Sequence, residues 1–535
     1  MKNVVFPSEL YRVTATEDTV TKNIPVYQTL TGYMRTRDAD PVEMEIEDSV
    51  LEIFNGLGVN TRCRAKTVKT YYAAHTFQKK TNVEIVLPES VTQIMIKPES
   101  AASKVKIEGN RITVSTDETL YFVIQPDGDI FSGLRVLLDR VKPMPKEKKH
   151  NLIFTEGIYT VDNCAYIHLN EYGAPVIDGI EDDTLICIGK DAIVNAAIVL
   201  KGVRNVEIAG TGILTTINRC HGAEDGFTGE HFWGLFRDHA VPNIHIRSGC
   251  ENIVVRDILI DAAFRGIILR NSSGVHIENV KIFASTHNAD GINCYNSSDL
   301  TVNGCFIQSQ DDCFCLYNSC DSIPWLYDEG YENVTAVCQN IDFGNCILFT
   351  NCRPFVFGGH ATGAREPRCL IEQFRIHDCE IIETPALLNP NERFAFYWTS
   401  VFRILSQSEQ IVRGLTFENI RVDVTSGYCG KVFHLHVRGG SEASYTECRG
   451  FAIEDITFRN IEIRNCVNDL YPSVIICRDA EVNETGDLLP HISNVTFENV
   501  TIGGRPICKT DFRVEGNVKN LNILSAGNES TMISE

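Results

Sequence analysis

Three near copies of one five-residue segment limit the folds that are open to this chain. Residues 416–420 read TFENI, residues 457–461 read TFRNI and residues 496–500 read TFENV, so the copies are 41 and 39 residues apart. Repeats of about 20 to 50 residues are typical of solenoids and propellers, in which each repeat packs against the next one. We therefore expect a repeat architecture in the C-terminal part of the chain.

Shorter strand-like segments extend this repeat back toward residue 150. They begin with a bend-forming residue or a glycine and continue with apolar residues: 205–208 (NVEI), 252–255 (NIVV), 274–277 (GVHI) and 299–302 (DLTV). Ile253, Val275 and Leu300 are 22 and 25 residues apart, and the longer intervals downstream are expected to be coils that carry loops. The pattern favours a right-handed parallel β-helix over residues 149–535. The alternative, a β-propeller, needs four hairpin-connected strands in each blade.

The first 140 or so residues have a different pattern. Residues 91–96 (VTQIMI) and 111–114 (RITV) are strand-like, with apolar and polar positions and polar turns between them, which predicts antiparallel strands. Residues 142–149 contain two prolines and four lysines and are predicted to be a linker. The fold class is therefore all-β, with a small β-sandwich-like domain and linker at 1–148 before the β-helix domain at 149–535.

Charge and composition exclude several classes of partner. The net charge of -21 over 535 residues repels phosphate backbones, so we expect no nucleic acid partner. No segment approaches the roughly 18 apolar residues of a membrane helix, and the first residues lack an apolar stretch of secretory type, so we expect no membrane association and a cytoplasmic location. The 20 cysteines form no C-x-x-C pair and are predicted to be reduced and buried.

Three aspartates lie about one coil apart in the middle of the predicted β-helix. Asp290 lies in segment 288–292 (NADGI), and Asp311, which is 21 residues further on, precedes Asp312 in segment 310–313 (QDDC). Strands of adjacent coils are about 4.8 Å apart, so the carboxyl groups would share one patch if a bend directs both neighbours outward. Crowding raises the pKa of a carboxyl group, as acid catalysis requires. Solvated turn residues are the alternative.

These segments resemble two motifs of a known enzyme family. Residues 288–290 (NAD) and 310–313 (QDDC) are similar to the Asn-Thr-Asp and Asp-Asp-Cys motifs of polygalacturonase-type glycoside hydrolases, and the resemblance covers roughly 150–510. It implies that Asp311 protonates the leaving oxygen while Asp290 and Asp312 activate water on the far face of the sugar. That family inverts the anomeric centre, which requires carboxyl groups about 6.5 to 9.5 Å apart. Asn288 and Gln310 are predicted to bind substrate.

The family's Gly-His-Gly motif has two candidate counterparts in this chain. His360 lies in segment 358–361 (GGHA), whereas counting along the repeat from residues 340–341 places Cys352 or Arg353 at this position. Both His360 and Arg353 are therefore predicted substrate-binding residues. Arg353 is equally compatible with a surface position.

The family's Arg-Ile-Lys motif corresponds to residues 403–405 (RIL). Arg403 is a further predicted substrate-binding residue, but Leu405 replaces the lysine that contacts the galacturonate carboxylate, and leucine cannot bind an acidic sugar by charge. Phe402 and Arg403 also resemble the dextranase and isopullulanase family, which cleaves neutral α-glucans with a similar aspartate trio on a β-helix behind a β-sandwich. The two resemblances leave pectin-type and α-glucan substrates open.

The resemblance implies an inverting hydrolase of α-glycosidic bonds in poly- or oligosaccharides. Long β-helices also serve as glycan-binding adhesins and tailspikes, and polysaccharide lyases or epimerases need a basic residue or calcium at the reacting carbon. The aspartate trio favours the hydrolase over both. His434 and His436 have no evident third partner for a metal, so we predict no metal and no cofactor.

Overall fold

The structure is a computed structural model. It describes residues in these ranges: 6–32, 46–54, 60–128, 133–170, 174–215, 242–262, 265–284, 289–309, 311–318, 337–350, 353–358, 369–383, 400–406, 410–423, 431–438, 451–465, 472–478, 490–524 and 531–533. Among these residues, no helix is both long and apolar enough to cross a bilayer.

The N-terminal part consists of strands in two sheets, with one short helix. The strands are β1 (Phe6–Pro7), β2 (Arg12–Glu17), β3 (Val20–Ile24), β4 (Val26–Gly32), β5 (Ile46–Phe54), β6 (Asn60–Phe77), β7 (Thr81–Val86), β8 (Ile94–Lys97), β9 (Val105–Glu108), β10 (Arg111–Thr116), β11 (Leu120–Pro126) and β12 (Leu134–Arg140). The helix α1 spans Glu99–Ala102.

Sheet 1 has the order β1-β4-β6-β12-β11-β8, with β5 paired to β6, and sheet 2 has the order β3-β2-β7-β10-β9. A buried core lies between the two sheets and includes Ile85 and Ile112 from sheet 2 and Phe122 and Val136 from sheet 1. The predicted sandwich-like arrangement is confirmed. The predicted boundary near residue 148 lies between the end of β12 and the next strand, which begins at His150.

The strands of the C-terminal part follow one another in short coils. They are β13 (His150–Tyr159), β14 (His168–Leu169), β15 (Pro175–Ile177), β16 (Thr184–Asn195), β17 (Ala197–Lys201), β18 (Arg204–Gly210), β19 (Ile213–Thr215), β20 (Ile244–Arg247), β21 (Glu251–Arg256), β22 (Leu259–Ala262), β23 (Ile267–Arg270), β24 (Ser273–Glu278), β25 (Lys281–Ala284), β26 (Ile292–Tyr295), β27 (Ser298–Asn303), β28 (Phe306–Ser309), β29 (Phe314–Tyr317), β30 (Val337–Gly344), β31 (Ile347–Thr350), β32 (Phe355–Phe357), β33 (Leu370–His377), β34 (Glu380–Glu383), β35 (Ser400–Ser406), β36 (Ile411–Asp423), β37 (Lys431–Val437), β38 (Ala452–Arg464), β39 (Ser473–Cys477), β40 (His491–Ile502), β41 (Arg505–Pro506), β42 (Phe512–Glu515), β43 (Val518–Leu524) and β44 (Thr531–Ile533), with a 3-10 helix at Lys509–Asp511.

These strands build a right-handed parallel β-helix, as predicted. Sheet 3 contains 20 strands from β13 to β44, and sheet 4 contains 12 strands in the order β14-β15-β17-β20-β23-β26-β29-β32-β35-β37-β39-β42. The repeated segments stack in register, because Phe417 pairs with Phe458 and Phe458 with Phe497. The ring centroids of these phenylalanines are 4.8 Å and 5.0 Å apart inside the coil. Each repeat of 41 or 39 residues is therefore one coil.

An exposed corner of sheet 3 explains the asparagine that recurs in the repeat. Asp378, Asn419, Asn460 and Asn499 stack on successive coils, each with a φ between 52° and 55°, a left-handed conformation that asparagine and aspartate tolerate better than most residues. Each asparagine donates a side-chain hydrogen bond to the residue one coil before it, at 3.0, 2.9 and 2.8 Å. We call these four residues the amide ladder.

Sheet 1 also packs against one face of the β-helix. Tyr72, Tyr121, Val123 and Leu137 of sheet 1 share a buried cluster with residues from five strands of sheet 3, which are Leu259, Phe283, Phe306, Phe349 and Ile382. Tyr72 stacks on Phe283 with ring centroids 4.9 Å apart. Asp139 of sheet 1 forms a buried ion pair of 2.8 Å with Lys281.

Candidate active site

Two of the three aspartates occupy the same position on adjacent coils of sheet 4. Asp290 lies two residues before β26 and Asp312 two residues before β29, and Ile292 pairs with Phe314 in the sheet. The backbone N–H of Gly291 donates to the carbonyl of Asp312 at 2.8 Å, and that of Asp311 donates to Ala289 at 3.1 Å. The structure thus stacks the two segments, as their spacing predicted.

The coils on either side carry arginine at this same position. Ile267 pairs with Ile292, which places Arg265 beside Asp290, and Phe314 pairs with Phe355, which places Arg353 beside Asp312. Arg265, Asp290, Asp312 and Arg353 therefore form one column of charged residues, ordered positive, negative, negative, positive. We call it the charged column, and all four residues are buried.

Arg353 binds Asp312 with two hydrogen bonds. Its Nε donates to Oδ1 of Asp312 at 2.6 Å, and its Nη2 donates to Oδ2 at 2.7 Å. Longer contacts to Oδ2 come from the thiol of Cys315 at 3.6 Å and the hydroxyl of Tyr317 at 3.5 Å. Of the two alternatives for Arg353, a surface position is wrong, because its guanidinium lies in a buried ion pair. Substrate binding by Arg353 stays a prediction.

Asp290 is held by longer contacts. Its Oδ2 accepts a hydrogen bond of 2.8 Å from the side-chain amide of Asn293 and lies 3.2 Å from Nε of Arg265. Its Oδ1 accepts the backbone N–H of Asp312 at 3.2 Å. Sequence reasoning missed Arg265, although it lies 25 residues before Asp290, which is the length of one short coil.

Asp311 is the most accessible aspartate of the three. Its side chain is 17% exposed, against 5% for Asp290 and 3% for Asp312. Nη2 of Arg353 lies 3.5 Å from Oδ1 of Asp311, and the hydroxyls of Ser309 and Thr350 donate to the Asp311 backbone carbonyl. Both neighbouring aspartates precede β29, but the strand end leaves only Asp311 partly exposed, whereas Asp312 is buried, so the prediction that both point outward is wrong for Asp312.

Burial and crowding act against ionisation of the two buried aspartates. Burial raises the pKa of Asp290, Arg265 opposes this shift, and the charge on Asp311 adds to it. Burial also raises the pKa of Asp312 well above its usual range, whereas Arg353 lowers it. Both oxygens of Asp312 accept N–H groups of Arg353, and this geometry suits the ionised form.

Part of this cluster has the ligand types of a metal site. One ligand atom each of Asp290, Asp312 and Cys315 lie within 4.8 Å of one another. However, Arg265 and Arg353 already neutralise the two carboxylates, and a divalent cation beside two guanidinium groups would be repelled. The donor set therefore does not fit a metal.

Arg403 lies on the next coil of sheet 4 and is also buried. It pairs with Val356 on one side and with His434 on the other, while Leu405 pairs with His436. The imidazole rings of His434 and His436 have centroids 5.8 Å apart. The predicted substrate-binding residues Asn288, Gln310 and His360 lie outside the described residues.

The coils that carry the three aspartates resemble a family of glycoside hydrolases. The model of the glycosyl hydrolases family 28 matches residues 184–325, a segment that contains Asp290, Asp311 and Asp312. The predicted resemblance to polygalacturonase-type glycoside hydrolases is therefore confirmed. No curated protein sequence matches the chain significantly.

A comparison with solved structures finds a dextranase and polygalacturonases. Dex49A from Penicillium minioluteum, a dextranase, has a TM-score of 0.51 and 11% identity, over 96% of this chain and 94% of that chain. The family 28 exopolygalacturonase of Yersinia enterocolitica has a TM-score of 0.47 and 14% identity, over 86% and 96%. The polygalacturonase of Erwinia carotovora has a TM-score of 0.35 and 12% identity, over 72% and 98%. The similarity to Dex49A supports the fold over the N-terminal sheets and the β-helix together.

Proposed function

We propose that this protein is an inverting glycoside hydrolase that cleaves α-glycosidic bonds in oligo- or polysaccharides. Protonated Asp311 donates its proton to the leaving oxygen as the bond from that oxygen to the anomeric carbon breaks. Asp290 and Asp312 activate a water molecule, which attacks the same carbon from the opposite face and loses one proton to a carboxylate of this pair. The products are two shorter sugars, one with an inverted anomeric centre.

The observation that carries this proposal is the difference in exposure within the aspartate trio. A general acid must reach the oxygen of the leaving sugar, and Asp311 has the most exposed side chain of the three. Arginine contacts all three aspartates, at 3.2 Å for Asp290, 2.6 Å for Asp312 and 3.5 Å for Asp311, and the contact to Asp311 is the longest. Asp311 is therefore the aspartate best placed to approach the leaving oxygen, and the family resemblance assigns it as the acid.

The sugar bound next to the cleaved bond is proposed to be neutral or to carry at most one carboxylate. Leu405 is buried on the strand that carries Arg403, where a lysine would provide a second positive charge. Leu405 therefore favours a second candidate function, the hydrolysis of neutral α-glucans. Leu405→Lys should raise kcat/KM on oligogalacturonides by about ten- to a hundredfold, the value of one charge-assisted hydrogen bond.

The test is incubation of the full chain with oligogalacturonides and neutral α-gluco-oligosaccharides, followed by NMR of the first product. We expect release of the β-anomer from an α-linked substrate. An α-anomer as first product would contradict inversion, and an unsaturated product would identify a lyase. If wild-type kcat/KM on galacturonides exceeds that on neutral α-glycosides by more than about a hundredfold, the neutral-substrate proposal is wrong.

We also propose a cytoplasmic location. Thirteen cysteines among the described residues are free thiols, and eleven of them are buried, which suits a reducing compartment. Titration of the denatured, unreduced protein should find nearly all 20 cysteines reactive. Several disulfides in that experiment would contradict this location.

A further inference from the structure

The two buried aspartates differ in how arginine holds them. Asp312 receives two N–H groups of one guanidinium at 2.6 and 2.7 Å, one at each oxygen. Between Arg265 and Asp290 the contact is longer, with Nε 3.2 Å from Oδ2. A bidentate pair of short, charge-assisted hydrogen bonds is stronger than a single long one. Arg353 therefore holds Asp312 as an anion more firmly than Arg265 holds Asp290.

The remaining acceptor sites differ as well. A carboxylate oxygen offers about two lone pairs for hydrogen bonds. Oδ2 of Asp312 has donors from Arg353, Cys315 and Tyr317, and its Oδ1 is 2.6 Å from a charged donor. Oδ1 of Asp290 accepts, from the described residues, one neutral backbone N–H at 3.2 Å. Oδ1 of Asp290 is thus the oxygen better able to accept a hydrogen bond, and then a proton, from water.

We propose that Asp290 alone takes the proton of the attacking water, whereas Arg353 keeps Asp312 as a permanent anion. This inference rests on the proposed function. The water oxygen forms a bond to the anomeric carbon, its proton moves to Oδ1 of Asp290, and Asp311 protonates the departing oxygen. Asp312 keeps its charge throughout and stabilises the positive charge that develops on the sugar. Arg353 is a positioning residue that acts through Asp312.

Azide distinguishes the two aspartates, because an azide ion has no proton to lose and needs no base. With Asp290→Ala, azide should restore turnover by about tenfold or more and yield a glycosyl azide of inverted configuration. With Asp312→Ala, Asp290 still activates water, so the product should remain the free sugar. Glycosyl azide from Asp312→Ala, or none from Asp290→Ala, would overturn the proposal. Asp290→Asn and Asp312→Asn serve in the same way if an alanine variant does not fold.

Arg353→Lys tests the positioning role. Lysine keeps the charge but cannot form the two-bond pair, so Asp312 will become protonated at a higher pH. The acid limb of the kcat/KM profile should therefore move to higher pH, with a loss of about ten- to a hundredfold near that limb. Arg413→Lys is the matched control, because Arg413 binds Glu372 with two hydrogen bonds of 2.9 and 2.7 Å on sheet 3. A wild-type pH profile for Arg353→Lys would overturn the role of Arg353.

A separate measurement identifies a failure of the proposed function itself. Asp311→Ala should regain turnover on a glycoside with an activated aryl leaving group, which needs no protonation. If the wild-type protein cleaves no glycan, or Asp311→Ala gains nothing from the aryl group, the hydrolase proposal fails. If Asp311→Ala regains turnover on the aryl glycoside but Asp312→Ala yields glycosyl azide, the hydrolase proposal stands. Only the division of roles between Asp290 and Asp312 is then wrong.

Discussion

The charged column on sheet 4 and the amide ladder on sheet 3 are built by the same rule, one residue on each successive coil, yet they have opposite properties. The amide ladder is neutral apart from Asp378, is exposed, and joins each coil to the one before it by a hydrogen bond near 2.9 Å. The charged column is buried and places two carboxylates side by side. In-register stacking places like residues next to each other. Stacked amides form hydrogen bonds between the coils, whereas stacked carboxylates repel each other.

Arginine is what makes the charged column compatible with folding. Two buried like charges on adjacent strands would destabilise the chain or take up protons. Arg265 and Arg353 lie at the two ends of the pair and neutralise one aspartate each. Asp311 remains as the less buried carboxyl group beside this neutralised pair. The comparison teaches that a buried column of carboxylates needs arginines to be stable, whereas Asp311 beside it stays more exposed, and the following predictions separate the column from its neighbour.

The largest effect is expected at Asp311, the proposed general acid. Asp311→Asn cannot donate a proton to the leaving oxygen and should lower kcat by about 10² to 10⁴, with little change in stability. Asp378→Asn, in the amide ladder, is the matched change and should leave kcat unaltered. The measurements are kcat on a cleaved oligosaccharide and urea unfolding of both variants. If Asp311→Asn keeps the wild-type kcat, Asp311 does not donate the proton and differs in no functional way from Asp378.

The next effect concerns stability within the charged column. Asp312→Asn removes the carboxylate that accepts the two short hydrogen bonds of the buried Arg353 guanidinium, and breaking such a pair costs about 3 to 5 kcal/mol. Urea unfolding measures this loss. The double variant Asp312→Asn/Arg353→Met should recover much of it, because the buried positive charge is gone. A single variant as stable as the wild-type protein would mean that the column does not need the Asp312 carboxylate.

A buried carboxylate without an arginine should respond to pH. Asp261 accepts a hydrogen bond of 2.9 Å from Thr29, and burial raises its pKa to about 7. The folded state then retains a proton that the unfolded chain loses above about pH 4, so stability should fall as the pH rises from about 4 to 7, by at most about 4 kcal/mol. Asp261→Asn should remove this fall. If the wild-type protein and Asp261→Asn lose the same free energy of unfolding between pH 5 and pH 8, other groups cause the pH dependence.

The smallest effect is expected in the amide ladder. Asn460→Ala loses a side-chain hydrogen bond on each side and places alanine at a φ of 52°, at a total cost of about 1 to 2 kcal/mol. Asn460→Gly relieves the backbone strain, so the difference between the two variants isolates it. Thermal unfolding and kcat are measured together. A change in kcat would show that the ladder is coupled to the site.

The regular parts of the fold could be predicted from the sequence because they repeat. Phe417, Phe458 and Phe497 recur at one coil length, and the spacing of Asp290 and Asp311 placed the aspartates on adjacent coils. Arg265 belongs to no motif, and its role becomes visible only when sheet register is known. Counting along the repeat from residues 340–341 did single out Arg353, but not its ion pair with Asp312, which lies 41 residues earlier. The ion pairs of the site depend on side-chain contacts, which the spacing of residues in the sequence does not predict.

The packing of sheet 1 on the β-helix has a consequence for how the molecule unfolds. A solenoid can open coil by coil, because each repeat contacts only its neighbours. Here one buried cluster joins sheet 1 to five strands of sheet 3, and two of these, β25 and β28, lead into the segments of Asp290 and Asp311. Opening any of these coils alone would expose tyrosine and phenylalanine surface that belongs to the whole cluster. The central coils are thus expected to unfold together as one cooperative unit. Local unfolding of single coils is expected only where the coils do not contact sheet 1.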